Sequence, residues 1–224
     1  MKKILPVIAI AILFTQFVNA QSKSIDKKIR FGFKIDAGSS TISPKESYAT
    51  KDGGKFYFSY GFAADFLLSD NYVIATGLNI THGGGSFSTD NGKGLLDDIN
   101  NTSRNTYSLS LQYLEIPFSL KLKTDDINGI KYWGQFGTYL GANLGARMNA
   151  VVDGKIYEKY TPSKVIPINM GLDLGAGIEY PFNSKTYGSI GFGYHNGFIN
   201  LTKSDWNAGK IVLNGFFLRT AVYF

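Results

Sequence analysis

Between Ile166 and Tyr180 the chain alternates with a period of two, and this stretch limits the folds open to the rest. Its even positions are Ile166, Ile168, Met170, Leu172, Leu174, Ala176, Ile178 and Tyr180, and its odd ones from Asn169 are Asn169, Gly171, Asp173, Gly175, Gly177 and Glu179. A strict period of two is a strand with one oily face. A soluble sandwich needs bulky side chains inside and solvated ones outside. Here the polar face is mostly glycine with isolated acids, which suits a cramped interior, and the unbroken aliphatic face suits lipid.

The same alternation recurs along the chain and predicts an all-β fold, an eight-stranded antiparallel up-and-down transmembrane β-barrel. The strands are expected at 30–39, 55–68, 72–80, 106–123, 130–148, 166–180, 186–197 and 210–224, joined by three short turns and four longer loops. An even strand count puts both termini on one side, the periplasmic one. The polar stretch around Pro44 and Asp52-Gly53-Gly54 reads as a loop, 83–105 as the longest one, and the last loop carries Trp206. Along 106–123 the apolar positions are odd up to Tyr113 and even from Leu114, a phase slip of the kind a β-bulge would produce, with Pro117 as a second disturbance.

With 26 glycines, 31 Phe plus Tyr and no cysteine, composition fits one all-β domain and excludes a disulfide scaffold or thiolate metal site. Residues 1–20 read as a signal peptide: Lys2 and Lys3 precede an apolar run from Ile4 to Val18 that is too short for a membrane anchor, and Val18-Asn19-Ala20 offers a cleavage site. Residues 21–29 would form a periplasmic N-terminal segment and 30–224 the outer-membrane domain. Without Lys2 and Lys3 the formal charge of +6 falls to +4, and the remaining cations are scattered singly, which gives no nucleic-acid patch.

Facing inward on this assignment are Arg30, Lys34, Lys121, Arg147 and Arg219, against Asp36, Asp65, Glu115, Asp173 and Glu179. Five charges of each sign in an interior only wide enough for side chains predict a paired, packed lumen rather than a channel. Tyr57, Trp133, Tyr139, Phe217 and Tyr223 also point in, opposite glycines that make room for them. Aromatic girdles are expected from Phe31, Tyr72, Tyr132, Tyr180 and Phe224 at the turn end and from Phe56, Tyr107 and Tyr194 at the loop end.

Other signals are weaker. Two histidines on separate strands support no metal site, and the spacing of Asp90, Asp97 and Asp98 fits no EF-hand loop. Gly83-Gly84-Gly85 lacks the lysine and helix of a phosphate loop and reads as loop flexibility, so no cofactor is predicted. His82 beside Ser108 or Ser110 at the loop end could form the base and nucleophile of a lipid-modifying enzyme, a lipid A deacylase-like alternative, although no orienting acid is evident. A narrow pore is a further alternative, disfavoured by the packed lumen. A soluble periplasmic barrel would put all of these inward-facing charges outside and leave the glycines without a packing role.

Tyr113-Leu114-Glu115-Ile116-Pro117, continuing Phe118-Ser119-Leu120-Lys121-Leu122, resembles the PorT-type outer-membrane β-barrel family of Bacteroidetes, as do the Gly-rich strands at 134–146 and 171–180. The resemblance implies an eight-stranded barrel in the outer membrane. PorT's link to type IX secretion adds secretion-system subunits to the expected partners, beside outer-membrane lipid and the barrel-assembly machinery. The terminal Phe224, with apolar residues at alternate positions before it, resembles the C-terminal signature that this machinery reads.

Overall fold

A computed structural model describes residues 29–45, 49–90, 104–152, 154–162, 165–203 and 210–224. The strands are β1 (Ile29–Pro44), β2 (Ala49–Leu67), β3 (Tyr72–Thr89), β4 (Asn105–Lys123), β5 (Lys131–Val152), β6 (Lys155–Tyr160), β7 (Ile168–Pro181), β8 (Tyr187–Gly197) and β9 (Ile211–Tyr223). Each pairs antiparallel with its sequence neighbour, β4 joins β5, and β1 pairs with both β2 and β9, so the sheet closes on itself. The ladder passes from β5 to β7, and β6 is a short hairpin arm paired only with the top of β5. Eight strands therefore make the wall. Closure of these eight leaves the wall without a free edge, which a strand-built membrane protein requires; the free edge is on the β6 arm.

The strands reach further at the long-loop end than periodicity indicates. The stretch around Pro44 and Asp52-Gly53-Gly54 belongs to the β1–β2 hairpin, and Gly83-Gly84-Gly85 lies inside β3. Here β2 bulges at Lys51–Gly53 and again at Gly54–Phe58, and β1 comes close to β3. A Cβ on Gly85 would collide with the backbone nitrogen of Ile42. Ser40 Oγ spans the approach, accepting from the Gly84 N–H at 2.8 Å and donating to its carbonyl at 3.0 Å. The triple glycine permits this contact; it is not a flexible loop. Asp97, Asp98 and Trp206 lie outside the described residues.

β4 carries no bulge. Its odd residues are buried without interruption from Asn105 to Lys123, and its even residues are outward throughout. Outward come Thr106, Ser108, Ser110 and Gln112, then Leu114, Ile116, Phe118, Leu120 and Leu122. Inward come Tyr107, Leu109, Leu111 and Tyr113, then Glu115, Pro117, Ser119, Lys121 and Lys123. The apparent slip at Tyr113-Leu114 is thus an exchange of polarity between the two faces of a regular strand. Below it the sheet is oily outside and polar inside; above it, polar outside and oily inside. Pro117 leaves the β3–β4 register intact, and its carbonyl accepts from Thr76 Oγ1 at 2.7 Å.

The irregularity is on the partner strand. Gln112 pairs with Gly145 and Tyr113 with Asn143, which makes Leu144 an extra residue in β5. A single inserted residue reverses every side chain beyond it. Met148, expected outside, is 1% exposed, and Arg147, expected inside, is exposed. Likewise Tyr107 is interior at 1% exposure rather than part of a girdle, and Val212 is buried. The remaining girdle residues Phe31, Phe56, Tyr72, Tyr132, Tyr180, Tyr194 and Phe224 are all exposed.

Nine residues of β4, Leu114 to Leu122, span the apolar band. At about 3.3 Å per residue and a tilt near 40° they rise roughly 23 Å, close to the apolar height of a membrane barrel. The stretch from Asn105 to Tyr113 is of equal length and projects beyond the band by a similar distance.

Candidate functional site in the barrel interior

Alternation delivers one inward side chain every second residue, and closure brings eight such rows together. At the short-turn end, Arg30 of β1 reaches Glu179 of β7 at 2.8 Å and Asp65 of β2 at 3.3 Å. Lys121 joins Asp65 at 2.9 Å and Lys123 joins Glu179 at 2.7 Å, both from β4. Tyr223 stands among them: Lys121 donates to its hydroxyl at 3.2 Å, and Arg30 lies 5.3 Å from its ring centre. Every cation here faces an anion, as charges removed from water require.

One layer higher, Asp173 of β7 is the hub. Arg219 donates to its two oxygens at 3.0 and 3.4 Å, Gln135 donates at 2.7 Å and Ser119 at 3.2 Å. His195 closes the ring, with Nε2 donating to Asp173 at 3.0 Å and Nδ1 lying 3.4 Å from the Tyr57 hydroxyl. The carboxylate, which can only accept, fixes the proton on Nε2. Arg219 also meets Asp36 at 3.3 Å, and Lys34 approaches Asp36 at 3.6 Å. Glu115 accepts from Thr81 at 2.6 Å.

Nine of the ten charged residues expected in the lumen are buried here. Arg147 is the exception, turned out by the Leu144 bulge. Lys123, which alternation places in the same row as Lys121, joins them from the last position of β4 and restores five charges of each sign. Tyr57, Trp133, Tyr139, Phe217 and Tyr223 are all at or below 4% exposure. The glycines opposite them leave space for rings: a Cβ on Gly193 would overlap Phe217, and one on Gly177 or Gly191 would come within 2.7 or 2.6 Å of Trp133.

Above the charges sits an apolar plug. Ile42, Phe87, Tyr107, Leu109, Leu111, Tyr113, Met148, Ala150, Val152, Leu201, Ile211 and Leu213 form one buried cluster that fills the long-loop half. Between the polar layers a cavity of about 20 Å³, lined by Lys34, Asp65, Lys121 and Arg219 among others, has room for about one water.

The histidine–serine pairing needed for acyl transfer does not form. His82, Ser108 and Ser110 do share the outward face of β3 and β4, but Ser110 accepts from Lys55 at 2.7 Å and Ser108 from Ser86 at 3.1 Å. His82 pairs across the ladder with Gln112 and stacks on Tyr60 instead. Among the described residues no three His, Asp or Glu side chains are grouped to hold a metal ion.

A closed eight-stranded antiparallel barrel with an apolar outer band and an ion-paired interior defines a transmembrane β-barrel protein. The sequence matches, over residues 19–203, the family described as outer membrane protein beta-barrel domain, and the chain belongs to that family. Similar solved structures include Neisserial surface protein A, at 14% identity and TM-score 0.45, covering 87% of this chain and 97% of that one. OprG of Pseudomonas aeruginosa is 12% identical with TM-score 0.41, covering 88% and 94%. Ail, the attachment invasion locus protein of Yersinia pestis, is 12% identical with TM-score 0.31, covering 87% and 98%. None of these likenesses is close enough to bear on what this chain binds. Comparison with curated proteins found no match.

Proposed function

We propose that this protein is a non-enzymatic, non-conducting barrel whose long-loop half is a rigid surface platform, with the termini and short turns in the periplasm. The observation that carries the proposal is double closure: ion pairs cross the lumen at one level and an apolar plug fills it at the next. A conducting path would have to break both. Purified barrel in planar bilayers should show no steady conductance, and reproducible single-channel steps would overturn the assignment.

A secretion-associated role of the PorT type rests on the Tyr113–Pro117 resemblance. In the fold these residues sit where the two faces exchange polarity, a position that explains them structurally without a partner. Crosslinking in isolated outer membranes followed by mass spectrometry separates the two roles. Co-recovery of secretion-channel subunits would favour secretion; recovery of lipid and assembly factors alone would favour the surface platform.

A further inference from the structure

The outward face just above the apolar band carries an arrangement the lumen does not explain. Lys55, on the second bulge of β2, extends to Ser110 Oγ at 2.7 Å, and Ser110 is the direct cross-strand partner of Arg147. Two cations therefore flank one hydroxyl. Neither has an ion-pair partner among the described residues. The outward residues of β3 and β4 around them, His82, Gly84, Ser86, Ser88, Thr106, Ser108 and Gln112, include no carboxylate. Of the carboxylates on this side, Asp52 accepts from Ser88 and lies 3.5 Å from Arg104, and the exposed Glu158 of β6, on the strand beside Arg147, makes no ion pair with it.

Beneath Lys55, on β2 and β3, runs an aromatic shelf. Phe56 stacks on Phe58 with ring centres 6.3 Å apart, Phe58 meets Tyr60 at 5.7 Å, and Tyr60 stacks on His82 at 6.4 Å. Phe56 is 71% exposed, and His82 Nδ1 is a buried polar atom without a hydrogen-bond partner. Ser110 stands four residues above Leu114, the first apolar outward residue of β4. At strand rise and tilt that is about 10 Å above the lipid-facing edge, the depth of phosphate headgroups. Uncompensated cations over interfacial aromatics at that depth match a phosphorylated lipid, whose acyl chains would run down the shelf.

We propose that Lys55, Ser110 and Arg147 form a binding site for the phosphate of a phosphorylated glycolipid in the outer leaflet, with Phe56, Phe58, Tyr60 and His82 as the shelf for its sugar and upper chain. The Leu144 bulge acquires a purpose in this arrangement, because without it Arg147 would point into the barrel. The site rests on the orientation proposed above, with the long-loop end outside the cell.

The test uses refolded full-length barrel in zwitterionic detergent and fluorescent lipid A in its bis-phosphorylated and dephosphorylated forms. Lys55→Met with Arg147→Met should weaken binding of the phosphorylated form roughly thirtyfold, from about 1 kcal/mol per cation near a headgroup. Lys155→Met with Lys159→Met, a cation pair on the β6 arm, should leave it unchanged, and wild type should bind the dephosphorylated form as weakly as the double variant does. Equal binding by the Lys55/Arg147 variant, equal loss in the control pair, or equal affinity for the dephosphorylated lipid would each overturn the site. Orientation is read separately by labelling Lys155→Cys with an impermeant maleimide on intact cells, in a chain with no other cysteine. Protection there would overturn the outer leaflet as the lipid's source; labelling without phosphate-dependent binding would overturn the site alone.

Discussion

Replacing Asp173 by asparagine isolates the charge at the centre of the barrel while keeping its shape. The wild-type carboxylate takes two bonds from Arg219 and one each from Gln135, Ser119 and His195. Asparagine can still accept from some of these donors, but Arg219 keeps only Asp36 as a counter-charge, and Lys34 shares that same carboxylate. Two cations then compete for one anion in a space with room for about one water. Removing one partner of a buried ion pair costs about 3–5 kcal/mol. Retained hydrogen bonding and the remaining Asp36 contact place Asp173→Asn near the lower end, about 3 kcal/mol. Equilibrium urea unfolding of the barrel refolded in vesicles measures this, with heat-modifiable gel migration counting the folded fraction. The internal reference is Asp52→Asn, which removes the charge facing Arg104, where the two side chains are 58% and 29% exposed, while the amide oxygen can still accept from Ser88. That change should cost less than about 1 kcal/mol. If the two variants were destabilised equally, the hub would carry no special energetic weight and the argument from burial would fail.

Two further outcomes follow from the packing and the polarity exchange. Gly193→Val drives a side chain into Phe217, which is held by stacking on Tyr57 at 4.7 Å, and should cost about 1–3 kcal/mol, whereas Gly134→Ala enters open space and should change unfolding by less than about 0.5 kcal/mol. Nitroxide labels at Ser108→Cys and Phe118→Cys both point outward; the first should be quenched by a water-soluble relaxation agent and the second by oxygen dissolved in lipid, and a Ser108 label shielded from both would restore a bulge in β4.

Strand number, closure and the composition of the lower lumen were legible because lipid outside and charge inside give opposite signs at alternate positions, as in β7. Two neighbouring strands show where that logic stops. In β4 the apolar residues change parity at Tyr113-Leu114 although the backbone does not, and in β5 they keep even parity from Leu140 through Val152 although the backbone slips at Leu144. Periodicity reports which residues are oily and not which side the oil is on. Where a barrel leaves the bilayer the medium outside changes, so an intact strand looks broken and a bulged strand looks intact. Arg147 and Met148 were exchanged for this reason. The pairing of Lys55 with Arg147 was hidden with them, since the two are 92 residues apart and come together only across Ser110. The triple glycine of β3 had no legible role because its partner, Ser40, acts across an intervening strand.

The exchange of polarity along the wall also gives the barrel a mechanical asymmetry. Drawing the long-loop half back into the bilayer would place Thr106, Ser108, Ser110 and Gln112 against hydrocarbon, while drawing it open in water would expose the plug. The half outside the apolar band therefore acts like the head on a rivet, resisting passage into the hydrocarbon and fixing the depth at which the shank rests.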